Sequence, residues 1–213
     1  MRIPFHALWH AMALAFLAAL LLLMPASAWA QWRMLDQFDE REDSGIWSRR
    51  HQQQLDVLVI TGVVGLAVME GTETRLGLAS WRAIDAALMT AATTEVMKRV
   101  FGRPRPSDNN DPDAWFKGGK NRSFPSGETA MMAAFVTPYI VEYREETPAI
   151  WALALLPAYM ARARMKSQAH WLSDVVAGAA VGVACGIHAT DRDTPLVLSI
   201  TGRSAFVGLR HRF

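Results

Sequence analysis

LSDVVAGAAVGVACGIH, residues 172–188, decides the fold of this chain. Ala, Val and Gly fill it, and no formal charge interrupts the 16 residues from Val175 to Thr190. Gly178, Gly182 and Gly186 recur every fourth position, which on a helix makes one bare strip where a neighbouring helix can approach closely. Strict alternation of polar and apolar residues, the mark of a half-buried strand, is missing. The same character recurs upstream over Leu55–Met69, Leu76–Val100, Glu128–Tyr143 and Ala149–Met160, where Ala, Leu and Met dominate. Five helices with short links predict an all-α bundle. The one cysteine, Cys185, lies inside the opening stretch and reads as a small core side chain, so disulfides do not hold this fold.

The whole chain has 213 residues, 51% of them hydrophobic, with 22 Lys+Arg against 20 Asp+Glu and a net charge of +2. That composition excludes a disordered tail, a collagen-like repeat and a disulfide scaffold. A charge of +2 is too small for a nucleic-acid-binding field, so no nucleic-acid partner is expected. Met1–Ala30 reads as a secretory signal: Arg2 starts it, Ala11–Leu23 is an apolar run of 13 residues, and Ala28-Trp29-Ala30 is a small-x-small cleavage site. The working domain is therefore expected to be exported, periplasmic, and soluble or associated with the membrane. Residues 31–54 follow as a polar arm with scattered aromatics, 55–190 as the helical domain, and 191–213 as a tail. In the tail, Leu196–Ile200 and Ala205–Leu209 flank Thr201-Gly202-Arg203-Ser204 and predict a β-hairpin. Charge-free stretches of the helical domain run 13 to 16 residues, short of the roughly 18 that mark a spanning helix. With a mean hydropathy of +0.09, they read as buried helices of a soluble or membrane-surface domain.

Where the charge sits matters more than its sum. Three windows hold 10 of the 22 basic residues and no acid: Lys98, Arg99, Arg103 and Arg105; Lys117, Lys120 and Arg122; Arg162, Arg164 and Lys166. Either they converge on one anion, with Arg forking two oxygens and Lys acting as a point charge, or they are three solvated helix ends. The second window runs into Ser123-Phe124-Pro125-Ser126-Gly127-Glu128 just before an apolar helix. Ser126 is placed to cap it and Gly127 lets the backbone turn closely, an arrangement that binds phosphate through N–H groups. The third window leads to His170 and, four residues on, Asp174. On one helix face, such an aspartate can fix the imidazole tautomer and leave the other ring nitrogen as a nucleophile or base.

Taken in order, these pieces resemble the type 2 phosphatidic acid phosphatase (PAP2) superfamily, which also holds bacterial acid phosphatases and vanadium haloperoxidases. Lys98, Arg105 and Pro106 match its Lys-x6-Arg-Pro element; Pro125, Ser126 and Gly127 match its Pro-Ser-Gly-His; Arg164, His170 and Asp174 match its Ser-Arg-x5-His-x3-Asp. Ala163 replaces the usual Ser, and Glu128 replaces the His of the second element. The resemblance implies a PAP2-like helical bundle and an active site with His170 as nucleophile, Asp174 orienting it, and Glu128 standing where a general acid protonates the leaving group. It implies Lys98, Arg105, Arg164, Ser126 and Gly127 as the phosphate cradle, with no metal and no cofactor. The expected activity is hydrolysis of a phosphate monoester or diphosphate, of a phosphorylated lipid or small ester, through a phosphohistidine. A non-catalytic phosphate- or lipid-binding protein and a phosphotransferase fit the same residues, and a haloperoxidase fits less well without the histidine. No motif speaks to oligomeric state. Cations and a helix N-terminus both favour the ionised form of Glu128, so its fitness as an acid depends on its surroundings.

Overall fold

The computed structural model describes residues 36–37, 40–192, 199–201 and 204–206, so the expected signal Met1–Ala30 and most of the tail lie outside the described residues. Six α-helices follow in order: α1 Arg49–Glu70, α2 Arg75–Phe101, the short α3 Pro106–Asn109, α4 Gly127–Tyr143, α5 Leu155–Lys166 and α6 Leu172–Thr190. Two three-residue strands, β1 Ser199–Thr201 and β2 Ser204–Phe206, pair antiparallel with Ser199 opposite Phe206. The described residues form the all-α bundle expected of the chain.

Two boundaries differ from expectation. α1 starts at Arg49, six positions before Leu55, because Arg and Gln are good helix formers and continue the helix where low hydropathy suggested an arm. Ala149–Met160 is not one α-helix: a 3-10 turn covers Pro148–Ala154 and α5 begins at Leu155. Pro157 explains the break, since it has no N–H to give to a carbonyl one turn back and is tolerated only in the first turn.

The glycine strip does what its spacing predicts. A Cβ on Gly178 would lie 2.4 Å from the Ser126 carbonyl oxygen, one on Gly182 would lie 2.1 Å from that of Ala130, and one on Gly186 would meet Thr137 Cβ at 2.5 Å. α6 thus packs backbone against backbone on α4, whose facing side is Ala130, Ala133, Ala134 and Thr137, all buried. α2 closes over this pair, and α1 packs on α2 through Val63 against Ala79, Ala83, Ala87, Phe135 and Tyr139. The close approach also brings the N-terminus of α4 beside that of α6, where the Ser126 N–H donates to the Asp174 carbonyl at 2.9 Å.

Below these two helix starts, three loops are stitched together. Ser123 N–H donates to the Arg103 carbonyl (2.9 Å), Ser107 N–H to that of Gln168 (3.1 Å), and Trp171 Nε1–H to that of Pro104 (3.3 Å). Gly102 ends α2 at φ +44°, and a Cβ there would lie 2.6 Å from Gly118 N, so only glycine turns the chain here. Arg103 then enters the interior. Its Nη1 donates to Asp174 Oδ1 and to Ser173 Oγ, and its Nη2 donates to Asp36 Oδ2 and to the Pro112 carbonyl, all at 2.7 Å. The guanidinium carbon lies 4.1 Å from the centre of the Trp115 ring and 5.4 Å from that of Trp171. A buried guanidinium paired at both Nη groups, with only Nε left without a hydrogen bond, is tolerated, whereas either carboxylate left alone would carry a desolvation penalty of several kcal/mol.

Three variants in denaturant unfolding check these contacts. Gly182→Leu is expected to lose about 3 kcal/mol or more in denaturant unfolding, because a side chain is forced into the α4 backbone. Gly62→Ala on α1, where a Cβ meets open space, is expected to gain about 0.5–1 kcal/mol instead. Arg103→Met leaves Asp36 and Asp174 buried without their cation and is expected to lose about 3–5 kcal/mol in the same assay.

Candidate active site

His170 sits on the loop between α5 and α6 and is buried. Its Nδ1 is 2.7 Å from the Ser123 carbonyl oxygen. A carbonyl only accepts, so Nδ1 carries the hydrogen and Nε2 keeps its lone pair. Asp174, expected to hold the ring, stands farther off at 3.7 Å and contributes charge rather than a hydrogen bond. Its oxygens are already taken. Oδ2 accepts from the Ser123 hydroxyl at 2.5 Å and from the Trp171 N–H at 2.9 Å, while Oδ1 accepts from Arg103. The physical reason is position: Asp174 lies in the first turn of α6, where a carboxylate naturally accepts the exposed backbone donors. Ser123 therefore links the two, orienting the ring through its carbonyl and the carboxylate through its hydroxyl.

Burial pushes the His170 ring below the usual imidazole range; Asp174 pulls the other way, and Arg164 and Arg105 push with burial. For Asp174 burial acts to raise the pKa, but the His170 ring, Arg103 and Ser123 outweigh it and hold the carboxyl below its ordinary range.

The cations gather around this ring from separate elements. Arg164, in the last turn of α5, is buried, and its Nη1 donates to Gln52 Oε1 at 3.0 Å. Burial lowers its pKa, Glu128 opposes, and the charges of Arg49 and Arg105 add to the lowering. Arg105 precedes α3 and is exposed, yet its charge reaches His170, Arg164 and Lys98. Lys98, in the last turn of α2, has its amine 2.8 Å from where a Cβ on Gly127 would sit, against the start of α4. Burial lowers its pKa, and Arg122 and Arg105 add to that. Ser126 caps α4 without its side chain, which bonds Thr129 Oγ1 at 3.0 Å. Lys98, Arg105, Arg164, Ser126, Gly127, His170 and Asp174 thus meet in one place.

Other members of the basic windows do not. Lys117 and Lys120 are exposed on the α3–α4 loop, Arg99 and Arg122 both pair with Glu95, and Lys166 pairs with Glu42. The full convergence of three windows is corrected to one or two residues from each of the first and third. Lysines on a solvated loop keep their hydration, and an i,i+4 pair on a helix surface satisfies Arg99 locally.

Glu128 is held by two guanidiniums. Arg49 forks it, with Nη1 at 2.8 Å from Oε2 and Nη2 at 2.5 Å from Oε1, and Arg164 Nε lies 2.8 Å from Oε2. Burial acts to raise its pKa, but the Arg49 hydrogen bond and the charges of Arg164, Arg49 and His170 prevail and keep it below the usual carboxylate range. In this arrangement Glu128 is an anion with no proton to give. Asp56, farther along α1, is the reverse case, pushed up to about 6 by burial and then by the charge of Glu128, with Arg49 and Arg164 opposing.

Sequence reasoning left four kinds of contributor without a role. Arg49 and Gln52 come from the segment taken as an arm; Gln52 Oε1 accepts from Arg49 (3.3 Å) and Arg164, while its Nε2 donates to the Trp47 carbonyl (2.8 Å). Asp36 accepts from the Ser173 N–H and hydroxyl at 2.8 and 2.6 Å. Arg103 was counted in a window and Ser123 stood in the quoted run, but neither had a partner. The usable signal was the polar face Arg49, Gln52, Asp56 at helical spacing on a segment otherwise apolar beyond Val57.

Three comparisons bear on this geometry. The description "PAP2 superfamily" belongs to the family profile that matches residues 79–193, just over half of the chain. Lipid A 1-phosphatase of Porphyromonas gingivalis is 35% identical over 92 residues, which are 42% of this chain but only 18% of that relative. The crystal structure of Aquifex aeolicus LpxE aligns with a TM-score of 0.50 at 20% identity, covering 76% of this chain and 94% of that one, a likeness of fold. With the profile spanning every element of the pocket from Lys98 to Asp174, the chain belongs to the PAP2 superfamily.

Proposed function

We propose that this chain is a phosphatase that hydrolyses a phosphate monoester or diphosphate of a lipid through a phosphohistidine on His170. One observation carries the reading: the Ser123 carbonyl holds the hydrogen of His170 Nδ1, which leaves Nε2 its lone pair as a nucleophile on a ring that feels the charges of Arg164 and Arg105. Nε2 attacks phosphorus as the P–O bond to the leaving group breaks, its electron pair leaving on that oxygen, which takes a proton from water; Lys98, Arg105, Arg164 and the start of α4 at Ser126 and Gly127 stabilise the equatorial oxygens. Asp174 stabilises the ring as it gains positive charge. Water then attacks phosphorus, the P–N bond breaks, and the electron pair returns to Nε2. Protein cations supply the charge stabilisation, so no metal or other cofactor enters this reading.

A lipid substrate is supported by the relative named as a lipid A phosphatase and by exposed apolar residues on α1 and around the α4–α5 connection, among them Leu58, Met69, Trp151 and Leu155. They suit a domain working at a membrane surface outside the cytoplasm, as the expected signal Met1–Ala30 implies. The two guanidiniums on Glu128 favour a second reading, a phosphate- or lipid-binding protein without turnover, because the residue at the acid position is ionised.

Phosphate release from phosphatidate, a polyprenyl diphosphate and an aryl phosphate separates the two. The phosphatase reading expects release by the parent and a loss of about 10⁴-fold or more in His170→Ala at unchanged helicity. Full release by that variant removes the nucleophile assignment, and a silent parent that gains activity as Glu128→His supports the binding protein. Because Nε2 must be unprotonated and the ring titrates below 6.5, the acid limb of kcat/KM is expected to lie below that pH.

A further inference from the structure

We infer that Arg49 is a further catalytic residue, held by Glu128 at the mouth of the pocket to stabilise the charge on the departing oxygen without transferring a proton. The inference rests on the phosphatase reading and adds a residue that the family elements do not contain.

The pocket has a depth order. The side chain of His170 is 4% exposed, that of Arg164 8%, Glu128 28% and Arg49 41%. An in-line displacement puts the leaving oxygen opposite the attacking nitrogen. With the imidazole at the floor, that oxygen points to the mouth, where Arg49 and Glu128 stand. Arg164 connects floor to mouth, since its Nε is beside Glu128 and its Nη1 is on Gln52. Gln52, fully buried, accepts from both guanidiniums and is itself anchored on the Trp47 carbonyl. The Arg49 N–H donates to Asp43 Oδ1 at 2.8 Å, so its backbone is fixed as well. Arg49 is therefore aimed by four hydrogen bonds to three groups, Glu128, Gln52 and Asp43, before any substrate arrives, which is the preorganisation that electrostatic catalysis needs.

Glu128 and Gln52 take both hydrogens of Nη1 and one of Nη2, and leave Nε–H and the second Nη2 hydrogen for a ligand. A guanidinium does not give up its proton, so its service to the leaving group is charge alone. In the step, the His170 Nε2–P bond forms and the P–O bond breaks. The electron pair stays on the leaving oxygen, which is stabilised by Arg49 and takes its proton from water. The charged and titratable groups facing Arg49 are Glu128, Asp56, Asp43 and the like-charged Arg164.

The test is a series of alkyl and aryl phosphates of decreasing leaving-group acidity, assayed with the parent, Arg49→Gln and Arg49→Lys. Arg49→Gln is expected to lose about 100-fold in kcat on the poorest leaving group but only a few-fold on the best, with KM nearly unchanged. Arg49→Lys keeps the charge and is expected to recover part of the loss on poor leaving groups. A uniform loss across the series, or a loss confined to KM, overturns the inference while leaving the phosphatase intact, because Arg49 would then only bind phosphate or support the fold. Absence of release by the parent on every substrate overturns both. Should Arg49→Gln fail to fold, the comparison of Arg49→Lys with the parent decides alone: an unchanged dependence on leaving group overturns the proposal.

Discussion

A carboxylate with no access to water must be surrounded by donors, and Asp174 is such a group. Arg103, the Ser123 hydroxyl and the Trp171 N–H all point at its two oxygens, and they come from three different loops. Each loop carries one piece of the pocket: Arg103 stands two residues before Arg105, Ser123 three before Ser126, and Trp171 directly after His170. Satisfying one buried charge therefore sets how Arg105, Ser126 and His170 stand relative to one another. Asp36 on the far side of Arg103 completes the balance and keeps the guanidinium from being drawn toward a single carboxylate.

The second constraint is repulsion. Arg164 stands within electrostatic reach of Arg49 and Arg105, and Lys98 within reach of Arg105, and burial of Arg164 and Lys98 adds to the cost of keeping them charged. Glu128 offsets that cost from inside the cluster. Its placement at the start of α4 is favourable for a carboxylate in its own right, and two guanidiniums make it more so. The same contacts hold its carboxyl below the usual carboxylate range.

The helices and their packing were legible because periodicity and small residues are local properties. Gly178, Gly182 and Gly186 announce a close approach wherever the partner lies, and α4 answers with Ala130, Ala133, Ala134 and Thr137. Boundaries failed where a single residue outweighed the local average, at Pro157 and at the polar first turns of α1. Among the site residues, those with fixed spacing within one segment were found, whereas Arg49, Gln52 and Asp36 were not, since nothing near them in the chain says what they will face.

By itself the sequence determined the helix class, the bare strip on α6 and the family pattern of cations around His170 and Asp174. These depend on residue type at short range. Only the tertiary structure decided that Ser123 rather than Asp174 holds the imidazole hydrogen, that Arg103 serves the carboxylate instead of the phosphate, and that Glu128 is ionised. Each of those outcomes is a competition among donors and charges drawn from distant segments, and a hydrogen bond goes to whichever partner packing brings within about 3 Å.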